Sequence, residues 1–473
     1  MTASDRLHAL GVAELVDGYA TGRFDPVDVV DGLLAELATI DHEAHGVVTV
    51  AADVARRGAE ASARRWAAGE AGPLEGVPFG VKDNLATAGI RTSLGSERWA
   101  DWVPERDAEA VARMRAAGAV LVAKTATPEL AFGDARPGHR PTNPWAAEHW
   151  TGGSSSGSAV SVASRILPVA LGTDTGGSIR VPSSYCGVTG LKPTRGAVPT
   201  DGAAVVSWTL DHVGCIGRSA ADLGTVLDVL RGAPGHRRDG VAGLRIGRPM
   251  AWFHERVDDD VRQATDAAVA VLEGLGATST EVEVPDPDLG GIAAWVITVC
   301  EFAESNADWR DHLGRYTPAS AERLVAGASL GAGDYLRARR VRRDLRERVG
   351  QLLEQVDVLV TPGTPTAAPR VVPPLDDLWG DGDRLWLERV ARSFILFNLL
   401  GLPAVVVPAG FTADGRPVAV QVVGRAGEDD LVLSVAAAFQ AATAHHRAAP
   451  GTVTLTAAPA PTTDAEKGGR MGP

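Results

Sequence analysis

The sequence predicts an α/β fold: one large domain whose central β-sheet is covered by helices on both faces. Three observations carry this expectation. Short apolar runs are bounded by Gly or Pro, helical segments alternate with those runs, and no repeat or linker splits the 473 residues. A sheet covered on both faces is built from strands that read as near-continuous apolar runs.

In chain order, residues 1–70 read as helices. Asp25-Pro26 is a helix-start signal ahead of VVDGLLAELATI, with Pro at the first helical position, and a second helix spans 51–70. Strands are expected at 119–125 (AVLVAKT), 167–173 (LPVALGT), 244–249 (LRIGRP), 356–362 (VDVLVTP), 403–410 (PAVVVPAG) and 417–424 (PVAVQVVG). Helices are expected at 108–117, 219–231, 258–275, 334–355 and 429–442. The stretch 285–395 reads as a more helical region, a lobe over the sheet where substrate selection would reside. Residues 448–473, rich in Ala, Pro, Thr and Gly, are expected to be a disordered tail.

Composition narrows the function classes. With 45% hydrophobic and 22% charged residues the chain affords a sizeable core. A net charge of −13 repels phosphate backbones and anionic membranes, so no nucleic-acid or membrane partner is expected. Cys186, Cys215 and Cys300 lie far apart, with neither a disulfide framework nor metal-ligand spacing, so no metal and no cofactor are expected. MTASDRLHALG lacks a basic segment followed by an apolar run, and no apolar stretch reaches about 18 residues. The expected location is cytoplasmic.

Of the 46 lysines and arginines only four are lysines, at positions 82, 124, 192 and 467. Such a bias suggests a GC-rich genome in which surface cations are arginine. A lysine that persists there is a candidate for a task arginine cannot perform, such as losing its proton near neutral pH.

The chemistry concentrates at 151–196, TGGSSSGSAVSVASRILPVALGTDTGGSIRVPSSYCGVTGLKPTRG. Two Gly-Gly-Ser turns, Gly152-Gly153-Ser154 and Gly176-Gly177-Ser178, flank a helix–strand unit, which a flexible linker would not. Glycines let backbone N–H groups approach a ligand, as an oxyanion site requires.

This segment resembles the Gly/Ser-rich signature of the amidase-signature family, with its GGSSGGS, GTDTGGSIR-P and CG-x-x-GLKPT blocks. Upstream, GVPFGVKDN at 76–84 resembles the family's lysine motif. Downstream, LDHVG at 210–214 followed by RSAADL, then VDVLVTPGTPTAAP and FNLLGLPAVVVPAGF, resemble its later blocks, in the same order over about 5–445. The resemblance implies a single domain over 1–447 with a central mixed sheet. It also implies an acyl-enzyme amidohydrolase with Ser178 as nucleophile, Ser154 as proton relay after a cis peptide bond, and Lys82 as neutral base. The backbone N–H groups of Thr175, Gly176, Gly177 and Ser178 would form the oxyanion hole, with Ser155, Asp174 and Arg180 in the surrounding hydrogen-bond shell. The substrate would be a small amide, with esters, anilides or carbamates also accepted. Ser156 departs from the family's glycine, which would tighten the turn after Ser154, and Cys215 departs from a common proline.

Two other readings compete. Gly153–Gly157 fits the G-x-S-x-G elbow of α/β-hydrolase esterases, with His445 or His446 as the late histidine, but no clear strand precedes it. A glutaminase-like subunit of a tRNA-dependent amidotransferase, or an inactive scaffold, shares the family pattern. Residues 124–143 lack the block such subunits usually carry. His139 and His149 read as loop residues rather than a pocket entrance, and Lys192 as a structural ion pair. Trp295, Trp309, Trp379 and Trp386 read as packing residues of the helical region. RARRVRRDLRER (337–348) reads as a solvated helix face and a candidate homodimer contact.

Overall fold

Asp25 and Pro26 begin a helix by the expected chemistry. The Asp25 carboxylate accepts hydrogen bonds from the amides of Val27 and Asp28, and Pro26 occupies the first turn of α2 (Pro26–Leu37), which follows α1 (Val12–Ala20). The chain is seen as a computed structural model that describes residues 7–42, 44–135, 140–371 and 390–451.

The strands are β1 (Val47–Val50), β2 (Pro78–Lys82), β3 (Val120–Thr125), β4 (Val169–Asp174), β5 (Thr189–Lys192) and β6 (His212–Gly217). They continue with β7 (Arg245–Pro249), β8 (Thr278–Val282), β9 (Val358–Pro362), β10 (Ala404–Phe411) and β11 (Pro417–Gly424). Together they form one sheet in the order β1-β3-β2-β4-β6-β5-β10-β11-β9-β7-β8. It is mixed: β2 runs parallel to β3 and β4, β7 runs parallel to β8 and β9, and the remaining pairs are antiparallel.

The remaining helices are α3 (Ala52–Ala68), α4 (Glu109–Ala116), α5 (Ser156–Ala163), α6 (Arg180–Tyr185), α7 (Ala220–Arg231) and α8 (Asp259–Gly274). Then come α9 (Pro287–Ser305), α10 (Pro318–Ser329), α11 (Ala332–Gln355), α12 (Ile395–Leu400) and α13 (Asp429–Ala442). Side chains alternate across a strand, and the packing follows that period. Val358 and Val360 join the core under α7, α8 and α13, while Leu359 between them packs with α9, α11 and α12. Val169 and Leu171 face the first core, and Ala170 faces α5.

All six expected strands are present, and five more were not foreseen: β1, β2, β5, β6 and β8. β1 corrects the helical reading of 1–70, since its VVTV consists of β-branched residues that pair antiparallel with β3. β8 is a sheet-edge strand with a half-exposed TSTEV, so the continuous apolar run that marks buried strands is missing. The region 285–395 is helical through α11 and then contributes β9 to the sheet. Residues 372–389, with Trp379 and Trp386, lie outside the described residues, as do His139 and the tail from 452, with Lys467. Among the described residues no helix is long and apolar enough to cross a membrane.

Candidate active site

β2 and β4 lie side by side in parallel, Val81 opposite Leu171, so both end at one edge of the sheet. Phe79 and Val81 face the larger core, and Lys82 therefore emerges on the opposite face, where α5 begins. The chain enters α5 through Gly152 at φ +75, where a Cβ would meet the Pro182 backbone at 2.8 Å, and through a cis Gly153–Ser154 peptide bond.

Lys82 is 0% exposed. Its Nζ lies 2.7 Å from Ser154 Oγ, 2.8 Å from Thr173 Oγ1 and 3.4 Å from the Thr173 carbonyl oxygen. Asn84 Nδ2 donates to the same Thr173 Oγ1 at 3.0 Å. Burial pulls the Lys82 ammonium down to about 7, against the opposing attraction of Asp174 and Asp211.

The other described lysines are buried as completely. Burial pulls Lys124 down to about 8 and Lys192 down to about 7. Lys124 donates to the Leu85 carbonyl and Thr92 Oγ1 and lies 3.5 Å from Asp83. Lys192 donates to the carbonyls of Pro193 and Leu402, so its partners are backbone oxygens rather than the expected ion pair. Lys82 alone of the three meets a serine hydroxyl on a cleft wall.

The loop after β4 is organised by Asp174. Its carboxylate accepts from the amides of Gly177 (2.8 Å) and Ile179 (3.0 Å) and from Arg180 Nε and Nη2 (3.0 Å each). Arg180 donates further to Gln421 Oε1 at 2.7 Å and to Asn398, whose Nδ2 returns 2.8 Å to Asp174 Oδ1. Burial by itself would raise the Asp174 carboxyl, but Arg180, Lys192 and Asn398 hold it well below the usual carboxylate range. Gly177 sits at φ +118, where a Cβ would meet Phe394 Cβ at 3.0 Å.

This network corrects one expectation. The Gly177 amide points inward to Asp174, whereas Thr175, Gly176 and Ser178 line the cleft. Thr175 is tethered in turn, donating from Oγ1 to Asp211 at 2.6 Å; burial pushes the Asp211 carboxyl up to about 6. Ser155 links the two Gly-Gly-Ser turns: its amide donates to the Ser178 carbonyl at 3.0 Å and its Oγ to the Thr173 carbonyl at 3.1 Å.

Ser154, Ser156 and the partly exposed Ser178 stand on the wall of one open cleft. Ser156 is the first residue of α5 and has no positive φ, so serine there imposes none of the expected tightening. Cys215 stands in β6 opposite Leu171 and Leu191, and as cysteine it keeps an N–H that proline would lack. Trp295 lines the cleft, while Trp309 is buried beside Phe302 and Tyr316. His149 is half-buried and does not line the cleft. His445 packs against Phe411 and Phe439, and neither it nor His446 is among the described residues that line the cleft, so the esterase elbow finds neither of its expected histidines there. Among the described residues no cluster of three His, Cys, Asp or Glu side chains could hold a metal ion.

Thr173, Asn84, Asn398, Asp211 and Gln421 had no assigned role from sequence. Gln421 carried a signal, as the polar residue inside the apolar run PVAVQVVG; the others lie within the quoted motifs without marking themselves.

The profile of the Amidase family matches residues 28–433. The chain belongs to the amidase family. It is 35% identical over 486 aligned positions to a glutamyl-tRNA(Gln) amidotransferase subunit of Roseiflexus sp. (strain RS-1), covering 94% of this chain and 98% of that one. A solved structure described as an amidase superimposes with a TM-score of 0.83 at 30% identity, covering 91% of this chain and 99% of that one. The native peptide amidase of Stenotrophomonas maltophilia does so with a TM-score of 0.78 at 27% identity, covering 91% and 96%. Amidase-family chemistry is the hydrolysis of an amide C–N bond, and the single domain with its large mixed sheet is the fold of these amidases.

Proposed function

We propose that this amidase hydrolyses a small amide through an acyl-enzyme on Ser178, with Ser154 as relay and neutral Lys82 as base. Esters, anilides or carbamates offer the same acyl carbon and fall within the same chemistry. The observation that carries the reading is the contact of a fully buried amine, 2.7 Å from the hydroxyl of Ser154, in the cleft that holds Ser178.

Serine is a poor nucleophile until a base takes its proton as it attacks. The hydrogen bonds around Lys82 leave it that role. The Thr173 carbonyl can only accept, and Lys82 Nζ donates to Thr173 Oγ1, which accepts from Asn84 as well. Two N–H groups of a neutral amine serve those oxygens, and its lone pair remains for the Ser154 proton. Ser154 then takes the proton of Ser178 as Oγ adds to the carbonyl carbon. The oxyanion is received by the amides of Thr175, Gly176 and Ser178. Return of the proton through Ser154 to the amine expels it, and water cleaves the acyl-enzyme by the same relay. The test is intact-protein mass spectrometry after a fluorophosphonate or sulfonyl fluoride. One adduct mapped to Ser178 is expected, and labelling elsewhere with Ser178 untouched rejects the assignment.

A second reading rests on the tRNA-dependent amidotransferase relatives, the first of which matches 94% of the chain. In it, the same site hydrolyses glutamine and passes ammonia to partner proteins. Copurification with a partner, and glutaminase activity only in its presence, would select this reading over a free-standing amidase.

A further inference from the structure

Beyond the serine the cleft is charged. Its described walls carry two arginines, Arg140 and Arg323, against one carboxylate, Asp134. Asp134 attracts Arg140 on that wall, and the chain as a whole carries a net charge of −13. Arg323 reaches the cleft from α10 and is 4% exposed. Its guanidinium lies over the Phe132 ring at 4.5 Å and near the Trp295 ring at 5.9 Å, which fixes the plane of the charge.

Arg140 is half-buried on the loop before Pro141, and its Nη1 is enclosed with no acceptor among the described residues. Thr298, one helical turn after Trp295 on α9, brings a buried hydroxyl to the same wall, also without a partner among the described residues. A charged N–H kept from water without an acceptor is unfavourable, and a ligand oxygen relieves it. Carboxylate suits a guanidinium best, because its two oxygens match the fork of donors.

We propose that the amide taken by this cleft carries a carboxylate group, received by Arg140 in the field of Arg323. The proposal rests on the amidase reading above and adds to it the chemical class of substrate. Neutral amides of the same size are then poorer substrates.

The test compares isosteric pairs: glutaramate against 5-methylhexanamide for a carboxylate on the acyl side, and N-acetyl-β-alanine against N-(3-methylbutyl)acetamide for one on the amine side. In at least one pair the carboxylate member should have kcat/KM higher by roughly tenfold or more, the scale of one charge-assisted hydrogen bond. Arg140→Gln should bring that ratio toward unity by raising KM for the carboxylate member, and Arg140→Lys should restore part of it. Equal or better rates for the neutral member in both pairs overturn the proposal. So does an Arg140→Gln variant that depresses both members alike, the mark of a merely structural arginine. Should none of the four be turned over, calorimetric titration of the same compounds decides: a carboxylate preference lost in Arg140→Gln supports the proposal, and its absence overturns it. Ser178→Ala separates the two ideas, since it should bind the carboxylate member as before while losing turnover.

Discussion

Replacing Lys82 by methionine removes the amine while keeping an unbranched chain in its slot. The structure sets the scale of what is lost. An ordinary lysine near 10.5 is neutral in about one molecule per thousand at pH 7.5, whereas one near 7 is neutral in about three quarters of them. Burial therefore raises the neutral fraction of this amine by nearly three orders of magnitude at that pH, equivalent to about 4 kcal/mol. Lys82→Met should lower kcat/KM roughly a thousandfold, the range of a lost general base. Lys82→Arg should do no better, because a guanidinium keeps its proton. In the wild-type enzyme kcat/KM should rise with pH through a midpoint near 7, so that the rate at pH 6 is about a tenth of the plateau. The assay is a chromogenic anilide or ester followed from pH 5.5 to 9. A structural role is separated by stability: below pH 7 the folded protein buries an ammonium at residue 82, so the methionine variant should be at least as stable there as wild type. Methionine activity within tenfold of wild type, or equal wild-type rates at pH 6 and 8.5, would refute the argument.

Ser178→Ala should remove both probe labelling and turnover, read by mass spectrometry and by the same chromogenic assay. Arg180→Met should destabilise the fold by about 3–5 kcal/mol in urea unfolding, because it strands the fully buried Asp174 carboxylate; a loss under about 1 kcal/mol contradicts the network. The Asp174 carboxyl is held below its unfolded value near 3.8, so its contribution is complete above that pH and disappears as the solution is acidified further. Lys192 titrates near 7 when folded and near 10.5 when unfolded, so the unfolded chain holds the extra proton between those limits and stability rises with pH across them. Lys192→Met should flatten that rise by about 1.4 kcal/mol per pH unit, and an unchanged slope would place the charge elsewhere.

Local chemistry was legible in the sequence wherever it depends on neighbours along the chain. Asp25-Pro26 starts α2, apolar runs between Gly and Pro became β3, β4, β7, β9, β10 and β11, and the two Gly-Gly-Ser turns bracket α5 and β4. The glycine-rich β5 and β6 and the polar edge strand β8 gave too little apolar contrast to be read. The scarcity of lysine pointed to buried amines, and the three described lysines are all buried.

What only the tertiary structure decided is which of those amines faces a serine, and in what state. Lys82 and Ser154 are 72 positions apart, and Lys82 and Thr173 are 91 apart. Their contact depends on β2 and β4 ending side by side beneath the start of α5. The depressed proton affinity of Lys82 comes from the exclusion of water by that packing, a property of the surroundings rather than of the residue. Likewise Gly177 reads in sequence as one donor of a proposed oxyanion hole, yet its N–H donates to Asp174. Residue order specifies which groups are available, but the direction of a hydrogen bond and the cost of a charge are set by whatever distant segments the fold brings around them.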